Sequence, residues 1–204
     1  MSDQTSRRPG VIAGTVKLTL FALVAATIVA AAWQVTRERI ATNRHAAKIA
    51  LFEPVLAGVA FDAVDYANPS RLSPPHDLPG NEAALIYTVS DKNAREVARV
   101  YEVSAKGYSG PIRLLIGIDT TSTLTGVRVI AHTETPGLGD WIETSRSDWI
   151  DTFTGRSLAN TPKDGWRLQK EGGEFAAFTG ASITPRAVVN AVKQTLEYDA
   201  RQRL

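Results

Sequence analysis

Cysteine is absent from this chain of 204 residues. Its absence excludes disulfides, iron–sulfur clusters, thiolate zinc sites and cysteine nucleophiles. Histidine is also scarce: His45, His76 and His132 lie far apart in the sequence. A histidine metal site would need an unusual convergence of these three side chains, so we expect no metal site.

Neither sign of charge is in clear excess. The chain has 23 Lys and Arg residues against 21 Asp and Glu residues. A nucleic-acid surface usually shows as clustered and dominant basic charge. We therefore expect no nucleic-acid partner.

One long apolar run lies near the N-terminus. Residues 9–36 carry a single charge, at Lys17. Extended back to Gly10, the run has the ~20 residues that a helix needs to cross the hydrocarbon core of a membrane. We predict a transmembrane helix over residues 10–33, with Lys17 reaching the headgroups at one side and Trp33 at the opposite interface.

A cleaved signal peptide is the alternative for this segment. Arg7 and Arg8 precede the apolar run, and alanines follow it. We favour an uncleaved anchor, because Pro9 and Gly10 match a twin-arginine signal poorly. Basic residues are more numerous on the C-terminal flank, which alone favours a cytoplasmic C-terminal domain, although large domains can be translocated regardless of such charges.

Residues 34–81 are predicted to form a juxtamembrane helix and a linker. Ile40, Ala47 and Leu51 recur at near-helical spacing, and Pro54 ends that pattern. The sequence YANPSRLSPPHDLPGN that follows is rich in proline, asparagine and serine, which is typical of a loop.

Strand patterns begin at about residue 82. ALIYTVS and EVARVYEVSA have strand composition, while PIRLLIGID and GVRVIAH alternate around the plausible hairpin loop TTSTLT. The stretch WRLQKEGGEF predicts a strand followed by a turn at Gly172 and Gly173. The stretch SRSDWIDTFTG predicts a short helix capped by Ser145 or Ser147. Antiparallel strands with interspersed helices predict an α+β domain.

The last segment should be a helix from Pro185 to about Ala200. Its apolar stripe comprises Val188, Val192 and Leu196. Thr184 suits the N-cap and Pro185 the first helical position. Four further small or hydroxyl residues precede them: Thr179, Gly180, Ala181 and Ser182. Because a helix N-terminus favours anions, a phosphate near Ser182 would be well placed.

A second stretch that could carry chemistry is HTETPGLGD, residues 132–140. Its proline and glycines fit a plain turn out of the sheet. They also fit a loop close to a ligand, because glycines permit close approach and backbone N–H groups can face an anion or a heterocycle. The stretch is neither a G-x-x-x-x-G-K-[ST] nor a G-x-G-x-x-G motif. The absence of a G-x-S-x-G elbow disfavours Ser–His–Asp hydrolysis at Ser182.

Four stretches carry a family resemblance: HTETPGLGD, GYSGPIRLLIGID, SDWI and GGEFAAFTGASITPRAVVNAV. Together they resemble the G subunit of the Rnf (Rsx) electron-transport complex, whose FMN-binding domain also occurs in the C subunit of the sodium-translocating NADH:quinone oxidoreductase. The resemblance extends from the apolar run to the C-terminus. In the family, the last hydroxyl of Asp-x-x-(Ser/Thr)-Gly-Ala-(Thr/Ser) carries FMN through a phosphoester bond.

The resemblance implies that Ser182 is the FMN attachment point. Serine replaces the usual threonine, and Ala176 stands at the place of the acidic residue, with Glu174 nearby but out of register. The resemblance also assigns the loop after residue 133 to the flavin pocket. The implied FMN contacts are Glu134, Thr135, Gly137, Leu138, Gly139, Thr179, Gly180 and Ala181. No catalytic acid or base is expected.

The implied function is electron relay through FMN in a membrane complex that couples ferredoxin/NAD redox chemistry to ion movement. The implied partners are the other subunits, a flavin transferase during maturation and membrane lipid. The expected layout is a cytoplasmic tail (1–9), a transmembrane helix (10–33), a juxtamembrane helix and linker (34–81), and a periplasmic FMN-binding domain (82–204) at the cell inner membrane. A stand-alone membrane-anchored FMN carrier for another reductase is one alternative. A non-redox assembly scaffold, suggested by Ala176, is the other.

Overall fold

The computed structural model describes residues 14–31, 33 and 50–203, which belong to two units divided after Ile49. The first unit contributes helix α1, Gly14–Ala31, which is long and apolar enough to cross a membrane. The hydroxyls of Thr19 and Thr27 donate to carbonyls four residues earlier, so they need no water partner. The predicted helical spacing at Ile40 and Ala47 lies outside the described residues.

The second unit is built on one antiparallel sheet of six strands. Their order is β1-β3-β4-β5-β6, and β2 also pairs with β3. The strands are β1 Ala63–Val64, β2 Ser70–Leu72, β3 Ala84–Ser90, β4 Glu96–Lys106, β5 Pro111–Asp119 and β6 Leu124–Ala131. Together with the C-terminal helix α2, Ile183–Gln202, the sheet confirms the predicted α+β class.

The hairpin of β5 and β6 forms where the alternating pattern predicted it. Asp119 closes the turn, since its Oδ1 accepts hydrogen bonds from the backbone N–H groups of Thr121 (2.8 Å) and Thr123 (3.0 Å). The alternating face of β5 is buried in the main core. It comprises Ile112, Leu114, Ile116 and Ile118.

Helix α2 packs its predicted stripe, Val188, Val192 and Leu196, into that core. Near its C-terminal end Asp199 is fully buried, accepting a hydrogen bond from the Tyr101 hydroxyl (2.6 Å) and another from Arg203 Nε (2.7 Å). Burial raises the pKa of Tyr101, and the bond to Asp199 raises it further. These contacts fasten α2 to β4.

The second unit includes residues that precede the expected domain boundary at residue 82. The second unit starts at Ala50, and Phe52, Val55 and Leu56 form a smaller core with the sheet. The buried Thr125 hydroxyl donates to the Val55 carbonyl at 2.6 Å. Strands β1 and β2 lie within the expected linker and were missed, because two or three residues are too few to show a period of two.

Five short 3-10 helices complete the unit: η1 Glu53–Val55, η2 Asp140–Ile142, η3 Asp148–Phe153, η4 Lys163–Gly165 and η5 Gln169–Glu171. Element η3 confirms the predicted short helix, and Ser147 caps it by accepting from the Trp149 N–H. The strand predicted at WRLQKEGGEF is wrong. The chain turns there through η5, and only Leu168 and Phe175 form a bridge.

Candidate cofactor-binding site

The two stretches with candidate chemistry meet at one cavity of about 230 Å³. It is lined by Tyr108, Glu134, Thr135, Leu138, Gly139, Gly180, Ala181, Ser182, Ile183 and Thr184. Gly137 and Thr179 line a second depression with Trp141, Ala177 and Phe178. The structure therefore brings the loop after β6 and the start of α2 together, as the motifs required.

The carboxylate of Glu134 joins three segments around this cavity. Glu134 is only 4% exposed. It accepts hydrogen bonds from the backbone N–H groups of Tyr108 (3.2 Å) and Ser109 (2.9 Å), and from the hydroxyl of Thr184. Because protein donors occupy this carboxylate, it organises the walls of the cavity.

Close packing around Glu134 requires glycine on two sides. A Cβ atom at Gly139 would lie 2.8 Å from the Glu134 Cβ and 3.0 Å from the Thr184 Oγ1. A Cβ at Gly107 would lie 2.5 Å from a carboxylate oxygen of Glu134. The contacts of 2.8 Å and 2.5 Å are too short for a Cβ atom, so both glycines allow the backbone to approach Glu134 closely.

The loop after Glu134 closes on itself. The Thr135 carbonyl accepts from the N–H groups of Leu138 (3.1 Å) and Gly139 (3.0 Å). Gly137 has φ of +78°, and its N–H donates to the buried carboxylate of Asp140 at 2.8 Å. This hydrogen bonding fixes the backbone of the cavity wall.

His132 anchors the base of the same loop. Its Nδ1 accepts from the Glu134 N–H at 3.1 Å, so Nε2 carries the proton and donates to Glu143 at 2.6 Å. The bond from His132 lowers the pKa of Glu143, and a bond from Ser145 lowers it further. His132 therefore stabilises the loop and is not the base of a nucleophile.

The start of α2 differs from the prediction. The N-cap is Ser182, whose backbone is already helical with φ −76° and ψ −20°, and its side chain makes no capping bond. Thr184, predicted as the N-cap, lies inside the helix and gives its hydroxyl to Glu134. The half-buried Ser182 instead lines the cavity, and its hydroxyl accepts a hydrogen bond from Lys170 Nζ.

Large apolar side chains line the cavity and the neighbouring depression, although much of their surface is exposed. Tyr108 is 72% exposed, and Leu138, Trp141 and Ile183 are each between 44% and 46% exposed. Apolar walls suit a planar heterocycle, while the helix N-terminus and Lys170 suit a phosphate. The side chains present therefore fit a flavin nucleotide.

Four of these residues were not named from the sequence: Tyr108, Trp141, Lys170 and Ile183. Tyr108 lies in the GYSG turn, and the paired glycines of that turn were the available signal. Lys170 and Ile183 lie in stretches already quoted for their secondary structure or family resemblance, and Trp141 directly follows HTETPGLGD. Nothing local marked them as neighbours of the cavity.

These features define a class of protein. Its domain has a cavity suited to a flavin nucleotide, and a candidate membrane helix precedes that domain in the sequence. Residues 107–197 match the FMN-binding domain family, and residues 1–55 match the RnfG N-terminal region. These matches confirm the predicted FMN-binding domain. With helix α1, they fit a membrane-anchored protein.

Relatives that match most of this chain identify the family more narrowly. The G subunit of the ion-translocating oxidoreductase complex of Stutzerimonas stutzeri is 40% identical over 170 residues, covering 83% of this chain and 72% of that protein. The protein of the same name from Photorhabdus laumondii is 39% identical over 196 residues, covering 96% and 90%. The one from Escherichia coli (strain K12) is 41% identical over 180 residues, covering 88% and 86%. The chain therefore belongs to this family of G subunits, as its motifs predicted.

Solved structures are also similar to this chain. The crystal structure of Shewanella oneidensis NqrC aligns with a TM-score of 0.47 and 25% sequence identity, covering 67% of this chain and 71% of that chain.

Proposed function

We propose that this chain is the FMN-carrying electron-transfer subunit of an Rnf-type ion-translocating oxidoreductase complex, with FMN esterified to Ser182. One observation carries the proposal: the Ser182 hydroxyl, the 134–139 loop and the N-terminus of α2 share one cavity. When bound, FMN supplies redox chemistry in steps of one or two electrons. The chain's own part is to hold, orient and shield the flavin.

The side chains divide these tasks along the cavity. Leu138, Ile183 and Tyr108 present apolar surface that excludes water from a ring system. Glu134 holds the segments that form the cavity walls in fixed positions through its three hydrogen bonds. The N-terminus of α2 directs unpaired backbone N–H groups and the positive end of its dipole towards a phosphate.

Attachment at Ser182 is a phosphoryl transfer and changes no oxidation state. The donor is an activated flavin phosphoanhydride, handled by a flavin transferase. The bond from Ser182 Oγ to phosphorus forms, the anhydride P–O bond breaks, and the second phosphate leaves with the electron pair. The hydroxyl proton passes to solvent. Serine offers a primary hydroxyl, which forms the same ester as threonine with less steric restriction.

The proposed topology follows the family and the candidate span. Residues 1–9 would lie in the cytoplasm, residues 10–33 would cross the inner membrane in contact with lipid, and the domain would face the periplasm. Helix α1 supports the span, because its apolar side chains are exposed over its whole described length. A cofactor held by a covalent bond would not be lost outside the cytoplasm.

Intact mass and in-gel flavin fluorescence of the denatured protein test the attachment. Wild type and Ser182→Thr should carry the added mass of one FMN ester, and Ser182→Ala should lack it. Flavin retained by Ser182→Ala would show that FMN is attached to another residue. Thr179 and Thr184 would then be the next candidates. An unmodified wild type from its native host would overturn the proposal. Co-purification with other membrane subunits separates a complex subunit from a stand-alone carrier.

A further inference from the structure

The QKEGGEF stretch forms a rigid turn beside the cavity. The buried Leu168 precedes it, and the buried Phe175 is its last residue. The Gln169 N–H donates to the Phe175 carbonyl (2.7 Å), and the Gly173 N–H to the Leu168 carbonyl (3.0 Å). A Cβ at Gly173 would lie 2.1 Å from the Arg167 carbonyl oxygen, so the turn needs glycine there. A turn anchored in this way holds its exposed side chains in place.

Two neighbouring residues of this turn reach the start of α2. Lys170 Nζ donates to the Ser182 hydroxyl, and the Glu171 carboxylate accepts from Arg186 Nε at 3.0 Å. The bond to Arg186 lowers the pKa of Glu171, and the same bond raises the pKa of Arg186. Glu171 pairs with Arg186, while the ammonium of Lys170 is directed at Ser182.

We propose that Lys170 binds the phosphate of the flavin nucleotide at Ser182, an inference that rests on the function proposed above. A phosphodiester on Ser182 carries one negative charge, on oxygens attached to the phosphorus that is bonded to Oγ. Lys170 already contacts that Oγ atom. An ammonium–phosphate hydrogen bond is charge-assisted and therefore stronger than a neutral one. The dipole of α2 acts in the same direction.

The rate of flavin attachment gives the first test. Wild type, Lys170→Gln and Lys170→Arg are incubated with transferase and flavin donor, and the modified fraction is followed by intact mass. Lys170→Gln should react roughly tenfold more slowly, whereas Lys170→Arg should stay close to wild type. Arg167→Gln is the matched control, because Arg167 is a cation in the same stretch that pairs with Asp164 instead.

Amine labelling gives a second test that needs no variant. Wild-type protein made with and without the transferase is treated with an amine-reactive reagent, and labelling is measured peptide by peptide. Attachment of the flavin should reduce labelling of Lys170 several-fold and leave Lys163, on η4, unchanged. This readout also separates phosphate binding from recognition of Lys170 by the transferase alone.

The outcomes distinguish the two proposals. A wild type that gains no flavin mass overturns the proposed attachment itself. A modified wild type whose Lys170 labels as strongly as before, or a Lys170→Gln variant that reacts at the wild-type rate, overturns only the role of Lys170. The melting temperature of unmodified Lys170→Gln should equal that of wild type. If the two melting temperatures differ, the labelling result decides whether Lys170 binds the phosphate.

Discussion

The Thr184 hydroxyl donates a hydrogen bond to the Glu134 carboxylate, although the two residues are 50 positions apart in the chain. Both side chains are buried. The same carboxylate receives the backbone N–H groups of Tyr108 and Ser109, so one side chain connects the turn before β5, the loop after β6 and the first turn of α2. The shape of the cavity depends on this connection.

Thr184→Val should therefore weaken both folding and flavin loading. Valine keeps the shape but leaves a buried carboxylate without one of its donors, which lowers the free energy of unfolding by about 1–3 kcal/mol. Denaturant unfolding and the flavin content of purified protein measure the two effects. Thr195→Val is the matched control, because the buried Thr195 hydroxyl donates only to the Ala191 carbonyl of its own helix. Equal losses in both variants would contradict the role given to Glu134.

Gly139→Ala should disturb the cavity more than a glycine-to-alanine change at a distant position. The new Cβ would press on Glu134 and Thr184, and overpacking of this kind costs about 1–3 kcal/mol. Gly155→Ala is the comparison, since Gly155 has φ of +80° with nothing within 4 Å of a Cβ. Both variants should melt at lower temperature, but only Gly139→Ala should lose flavin. Normal flavin loading in Gly139→Ala would show that the loop accommodates the methyl group.

The sequence predicted the long, regular elements well because their periodicity extends over many residues. The alternation of β5 and the stripe of α2 are examples. Strands β1 and β2 are too short for such a signal. The stretch leading into η5 was mistaken for a strand because the buried Trp166 and Leu168 alternate with the exposed Arg167 and Gln169, as they would along a strand. The start of α2 was misplaced because Thr184 has a distant acceptor, which no local capping rule contains.

The candidate site was predictable where its residues cluster in sequence. The loop that contains Gly139 and the stretch ending at Ser182 each form a compact motif, and both contribute residues to the cavity. Tyr108 and Lys170 could not be found in this way. Each is a single exposed residue whose relevance arises only when β5 and the turn at η5 fold against α2.

The His132–Glu143 pair should make stability depend on pH on the acid side. The pKa of Glu143 is lowered in the folded protein, mainly by the bond from His132. A lowered carboxyl pKa stabilises the fold above the unfolded value, near pH 4.3, and that contribution is lost as the pH falls through the folded value. Melting temperatures of wild type and Glu143→Gln should therefore converge over the pH range below about 4.3. A constant difference across this range would exclude Glu143 as the group responsible.

Ala176→Asp should raise the rate of flavin attachment by restoring the acidic residue of the family motif. The change should leave stability nearly unaltered, since Ala176 is exposed and its carbonyl remains bonded to Trp149 Nε1 at 3.0 Å. Glu174 does not supply the missing acid, because its carboxylate pairs with Arg156. Glu174→Gln should accordingly react at the wild-type rate. The measurement is the modified fraction over time by intact mass, with transferase and donor held constant. An unchanged rate in Ala176→Asp would mean that attachment at Ser182 does not depend on the acidic position, and that the structure around the hydroxyl alone directs the reaction.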